Sequence, residues 1–367
     1  MTNMVVRFRD LSIGEIERRE LLSRIDSLMR VGQFILGEDV ERFEREFARR
    51  CNQDFCVGVS NGTAALYLAL RAYGVGPGDE VITSAMSWVA TGNAITALGA
   101  TPIFVDVRDD YNIDPSAIES AFTSKTRAIV PVHFYGRIAS MARICEFAVK
   151  KSVPVIEDAA QAFGAYVGDQ PAGSFGDAAA FSLNPMKPLA ALGEAGAVVT
   201  RRYDIAEKIG SLRYLGTVDR ETCVDPSLNF KIDTLQAVIL LERMKRVEQA
   251  IAHRNRIAER YSAELRDLVT VPEAPSDGLS AYFDYTIFTE DRDALEAHLL
   301  SRGIEVKVKH RLLLTEQPGY GQALTDKTPN AQRLVKGILS LPIHEAINES
   351  QIELVVREIR RFFVASS

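Results

Sequence analysis

The sequence predicts an α/β protein: a large domain with a mostly parallel, helix-covered sheet of about seven strands, followed by a smaller α+β domain. Three observations carry this. Between residues 55 and 201 seven short apolar, β-branched runs recur: FCVGVS, EVITSA, TPIFVDV, RAIVPVHFYG, VPVIED, DAAAFSL and GAVVT. Helix-like stretches such as TAALYLALRAYG, WVATGNAITALG, DPSAIESAF and ASMARICEFAVKK separate most of them, and alternation of strand and helix is the pattern of a parallel sheet. Several runs are apolar without alternation, as strands buried on both faces are. Ligands of such sheets sit beyond the carboxyl ends of the strands.

From about residue 204 the texture changes. IDTLQAVILLERMKRVEQAIAHRNRIAERYSAELRDL repeats its apolar positions at three and four and reads as a connector helix. The remainder mixes strand-like YFDYTIF and GIEVKVK with helix-like DALEAHLLSRG and QIELVVREIRRFF. The expected division is a large domain with an N-terminal arm over 1–244 and a small domain over 245–367. No internal repeat or low-complexity tract interrupts it.

Composition narrows the function classes. A chain of 367 residues, 47% hydrophobic and 25% charged, can bury a large core. Its net charge of -6 offers no basic excess for a phosphate backbone, so nucleic acid is not an expected partner. MTNMVVRFRDLSIGEIERRE lacks the apolar core of a signal peptide, and no apolar run approaches the roughly 20 residues a bilayer needs, so a cytoplasmic protein is expected. Cys51, Cys56, Cys145 and Cys223 are too scattered for a disulfide framework, and the five histidines show no ligand spacing; no metal is expected.

Four segments hold candidate chemistry. SNGTAALYLAL puts Ser60, Asn61, Gly62 and Thr63 where a strand turns into a helix, whose free N–H groups suit an anion such as phosphate; capping by Asn61 or Thr63 alone is the other reading. The glycines of GVGPGDE follow a helix instead of opening one, which makes a turn. VPVIEDAAQAFGA ends a buried strand on Glu157 and Asp158, followed by Gln161. A buried carboxylate needs a cation, either a protein Lys or Arg or a protonated ring nitrogen of a ligand. AFSLNPMKPLAALGEAGAVVT sets Lys187 among Pro185, Met186, Pro188 and Leu189, with Ser182 ahead of it. An enclosed lysine loses its charge readily, and a neutral amine forms a Schiff base with an aldehyde; a solvated lysine is the alternative. Trp88, the only tryptophan, follows EVITSA at the same edge, where it either covers a planar ring or packs in the core.

In this order SNGTAALYLAL, SWVATGNAI, EDAAQAFGA, SLNPMKPLAALGEAGAVV and SLNFKIDTLQA resemble the DegT/StrS family of sugar aminotransferases, which has the type I aminotransferase fold. The likeness runs from VGQFILGEDVERFEREFA to LSLPIHEAINESQIELVVREI. It implies pyridoxal phosphate as cofactor, bound by the large domain, with Lys187 as Schiff-base lysine and proton carrier and Asp158 paired with the ring nitrogen. It also places Gln161 near the ring, Trp88 on its face, and Gly62, Thr63 and Ser182 at the phosphate, joined by Asn229 from the other subunit of a homodimer. The implied reaction moves an amino group from glutamate or glutamine to a ketosugar or sugar aldehyde, nucleotide-linked or otherwise anionic, for surface polysaccharide, lipopolysaccharide or antibiotic assembly.

Departures from the pattern are Asn184 for the usual histidine, GEAGA for GD-G-G-A, and Lys231-Ile232 for Arg-Met. In place of a Tyr and a Pro-Leu-His segment the chain has GIEVKVKHRLLL, gathering Lys307, Lys309, His310 and Arg311. Were this a strand, Lys307 and Lys309 would share a face, either solvated or contacting an acidic or phosphorylated acceptor. Two alternatives stand beside the aminotransferase: a dehydratase, whose family members resemble this chain with histidine at the Schiff-base position, and a cofactor-binding regulatory protein without turnover.

Overall fold

The computed structural model describes residues 6–320 and 327–366; the first five residues of the N-terminal stretch read above lie outside it. All seven runs become strands: β1 (Phe55–Val59), β2 (Glu80–Ser84), β3 (Thr101–Val105), β4 (Thr126–Val130), β5 (Ile156–Asp158), β6 (Ala178–Ser182) and β7 (Gly196–Thr200). They lie in the order β3-β2-β4-β5-β6-β7-β1, with the junction of β4 and β5 made by parallel bridges Ile129 to Val155 and Val132 to Asp158. Only β7 runs against its neighbours. The sheet is therefore mostly parallel.

Both faces are buried, which explains the missing polar alternation. Along β2, Val81 enters one hydrophobic cluster and Ile82 the other; along β6, Ala178 and Ala180 face one way and Ala179 and Phe181 the other. Helices α3 (Gly62–Ala72), α4 (Val89–Thr96) and α7 (Tyr203–Arg213) cover the first face. The second is covered by α2 (Glu38–Arg50), α5 (Pro115–Ala121), α6 (Met141–Lys151) and α8 (Thr234–Met244), while α1 (Glu15–Val31) packs on α8. Local chemistry starts these helices where the sequence suggests. Asn61 caps α3 by accepting from Ala64 N at 2.8 Å, and Asp114 caps α5 ahead of Pro115.

A separate cluster gathers α9 (Val247–Leu265), α10 (Arg292–Ser301), α11 (Glu349–Ser366) and the antiparallel pair β8 (Tyr285–Phe288) and β9 (Ile338–Leu341). Val6 joins it from the far end of the chain. Two expectations change here. The connector is not one helix: α8 and α9 are separated at Lys245 and Arg246 although neither Gly nor Pro stands there. Arg246 is the N-cap of α9 at φ -115° and ψ -5°, a distorted right-handed conformation, and its guanidinium meets Glu20 of α1. GIEVKVK is not a strand either. Its backbone bonds Val6 at one end and Ser340 at the other, crossing between partners instead of running along one.

The adjacent carboxyls that end β5 face opposite ways, as strand geometry requires. Glu157 is wholly buried and accepts from the backbone N–H groups of Gly173, Phe175 and Gly176 at 2.7–2.8 Å. His133 Nδ1 accepts from Ala139 N, which leaves Nε2 to donate to Glu157 at 2.7 Å. Removing this carboxyl strands four donors. Glu157→Ala should lose roughly 3 kcal/mol or more of stability in urea unfolding, whereas Glu146→Ala, which breaks an exposed pair with Lys150, should leave the midpoint unmoved.

Candidate active site

The carboxyl ends of the parallel strands bring most of the singled-out residues together. Behind β1, the start of α3 lies against the end of β6 so closely that a Cβ on Gly62 would stand 2.5 Å from the Cβ of Ser182. Glycine is required by that approach. A Cβ on Gly196 would likewise meet Asn61 O at 2.4 Å. Gly62, exposed Thr63 and Ser182 thus border one helix N-terminus with open N–H groups.

Asp158 occupies the centre. It is buried, accepts from Thr91 Oγ1 of α4 at 2.7 Å and from Ala160 N at 3.2 Å, and forms no ion pair with a described residue. Burial raises its pKa against the pull of those hydrogen bonds and of the positive charge on Lys187 and His133. The open alternative of a protein salt bridge is therefore not what the structure contains. A ligand with a basic ring nitrogen would supply the missing cation.

Lys187 follows β6 on a tight loop. Its N–H donates to Asn184 O at 2.9 Å, and Ala191 N closes the loop on Leu183 O at 2.7 Å. Two departures from the family pattern meet here: Asn184 Nδ2 donates to Glu194 at 2.7 Å, while Asn184 Oδ1 accepts from Met186 N. Asn for His and Glu for Asp thus form one contact that holds the loop. Burial lowers the Lys187 amine to about 8; Lys309 and Arg9 push the same way, and Asp158 and Asp284 oppose them. A cavity of about 410 Å³ opens beside it, lined by Pro185, Leu189, Arg9, Arg254 and Glu345.

The other predicted residues are less uniform. Gln161 is buried and accepts from Tyr135 N at 2.8 Å, holding Tyr135 at φ +55°. Trp88 is 63% exposed and meets His310 edge-on at 6.2 Å. Asn229 is exposed; its side chain accepts from Lys231 N, and Lys231 in turn lies over Tyr214. The Lys307 to Arg311 group does not act as one patch. Lys307 pairs with Glu305 and Arg311 with Glu296 at the surface, whereas Lys309 turns inward to Asp284 and His310 packs on Phe134.

Sequence reasoning missed Thr91, Arg9, Phe283 and Asp284. Thr91 lay within the quoted SWVATGNAI and was passed over because a helical threonine carries no signal of its own. The other three come from segments far from Lys187 in the chain and had no local signature. The residues present fit pyridoxal phosphate: a buried carboxyl without a cation, an amine that deprotonates easily, and a glycine-tight helix N-terminus for a phosphate.

The sequence model of the DegT/DnrJ/EryC1/StrS aminotransferase family matches residues 15–360. A pleiotropic regulatory protein of Geobacillus stearothermophilus is 36% identical, covering 94% of both chains. The UDP-2-acetamido-2-deoxy-3-oxo-D-glucuronate aminotransferase of Pseudomonas aeruginosa is 33% identical, covering 96% of this chain and 98% of its own. Among solved structures, NtdA of Bacillus subtilis with bound cofactor PMP superposes with a TM-score of 0.91 at 30% identity, over 99% of this chain and 86% of that one.

The lowered amine gives a pH prediction. A lysine with an ordinary constant of 10.5 is almost wholly charged at pH 8, but Lys187 should be about half neutral there. Imine formation between the cofactor-free protein and added pyridoxal phosphate, followed by absorbance, should therefore rise with pH through a midpoint near 8.

Proposed function

Because the chain belongs to the DegT/DnrJ/EryC1/StrS aminotransferase family, it is an aminotransferase of the type I fold that works with pyridoxal phosphate, and we propose that it aminates a nucleotide-linked keto sugar with glutamate or glutamine as donor. The observation that carries the reading is a readily neutralised Lys187 in the same buried site as Asp158, a carboxyl that forms no ion pair with a described residue. Relatives named for UDP- and dTDP-linked sugars support the acceptor class. The product would enter surface polysaccharide, lipopolysaccharide or antibiotic assembly in the cytoplasm. Among the described residues no helix is long and apolar enough to cross a membrane.

Bound pyridoxal phosphate supplies an electron-withdrawing ring that acidifies the C–H bond next to the substrate nitrogen. Lys187 takes that proton and returns it, a task suited to an amine whose constant lies near the working pH. Asp158, fixed by Thr91 and by Ala160 N, holds a proton on the ring nitrogen. Gly62, Thr63 and Ser182 bind the phosphate, and Trp88 covers the ring. Gln161, which accepts from Tyr135 N, lies near the ring. Exposed Asn229 reaches the phosphate of a second copy, so the working unit is a homodimer. The large domain ends near residue 244 and the small one begins at 245.

Retention of Lys187 separates this chain from the dehydratases. The regulatory reading has a named relative, but a protein that only bound the cofactor would not need Lys187, Asp158 and Ser182 together. The deciding experiment follows the visible absorbance of the purified, cofactor-loaded protein on adding glutamate. The band should bleach as the cofactor takes the amino group, and Lys187→Ala should lack the band. A loaded protein that no amino acid bleaches would instead be a binding protein.

A further inference from the structure

Three cations, the proposed catalytic lysine among them, share one aromatic ring. Lys187 Nζ and Lys309 Nζ each lie 4.4 Å from the centre of Phe283, and Arg9 Cζ lies 4.5 Å from it. One carboxyl serves two of them. Asp284 Oδ1 accepts from Arg9 at 2.7 Å and Oδ2 accepts from Lys309 at 2.6 Å. Its side chain is wholly buried, that of Arg9 is 6% exposed and that of Lys309 21%. Arg254 and Glu345 stand nearby but satisfy each other.

The charges do not balance. Two cations against one carboxyl leave one positive charge, in a place where unmatched charge is costly. Burial lowers the Lys309 amine, with Arg9 adding to the effect and Asp284 opposing it. Arg9 Nε is buried with no hydrogen-bond partner among the described residues, and Arg9 and Lys187 line the same 410 Å³ cavity. Neutralising Asp284 would need one cation, not two, so the second is available for something else.

We infer that Arg9 and Lys309, both anchored by Asp284, bind a carboxylate of the substrate on the Phe283 side of Lys187. A single excess charge matches a monoanionic carboxylate, while a diphosphate would leave the cluster negative. Arg9 Nη2 is taken by Asp284 and Phe283 O, which leaves the unpartnered Nε–H for such a contact. The carboxylate comes either from the α-position of the amino donor or from an acidic acceptor sugar. The inference rests on the aminotransferase reading above.

Lys309→Met and Arg9→Met each remove one cation and leave Asp284 paired with the other. Two half-reactions are followed by absorbance on loaded protein. The donor arm compares L-glutamate with 4-aminobutyrate, which lacks the α-carboxylate. The acceptor arm, run backwards, compares a UDP-linked 3-amino uronate with its neutral 3-amino glucose counterpart. Both variants should slow one of the two substrates that carry the carboxylate in question roughly tenfold or more at low concentration and its counterpart without that carboxylate less than twofold. Loss with glutamate assigns the site to the donor, and loss with the uronate to the acceptor. Equal slowing within each pair, or no slowing while the wild type reacts, overturns the inference alone. A wild type that reacts with none of these amines overturns the aminotransferase reading and the inference with it.

Discussion

A carboxyl buried as deeply as Asp158 costs free energy unless something positive faces it, and much of the molecule is arranged around leaving that place open. β5, which ends on Asp158, is the fourth of seven strands, so it meets protein on both edges and both faces. Its neighbour Glu157 points the other way and is fully satisfied by three backbone N–H groups and His133. One residue closes the fold and the next leaves a charge unmatched. Thr91 and the Ala160 amide fix the orientation of Asp158 without neutralising it. The protein therefore carries a cost that a cationic ring nitrogen would remove.

The same electrostatic logic governs Lys187. Its amine is drawn down mainly by burial, and Lys309 and Arg9 add repulsion. The loop that presents it is held by Asn184 and Glu194, two residues that look like separate departures when read along the chain. In space they are one hydrogen bond. Compensation of this kind keeps the geometry of a site while its residue types change.

The seven strands, their mostly parallel arrangement and the candidate residues at their ends were legible because each is a local signal. An apolar run, a capping Asn61, a carboxyl closing a strand and a lysine among prolines can each be read within a dozen residues. What remained hidden depends on tertiary contact. Arg9, Phe283 and Asp284 acquire meaning only when Val6 and its neighbours pair with the region around Ile304. The basic group from Lys307 to Arg311 was grouped by its spacing. The chain there is not a strand, so Lys309 turns inward while Lys307 and Arg311 pair at the surface. The break between α8 and α9 had no Gly or Pro to announce it.

Lys187 is the residue proposed to hold the cofactor. The most direct measurement is borohydride reduction of the purified holoprotein, followed by proteolysis and mass spectrometry. A pyridoxyl adduct should appear on the peptide containing Lys187 and be lost from Lys187→Ala. An adduct confined to another lysine, such as Lys309, would contradict the assignment and move the chemistry to the Phe283 side of the site.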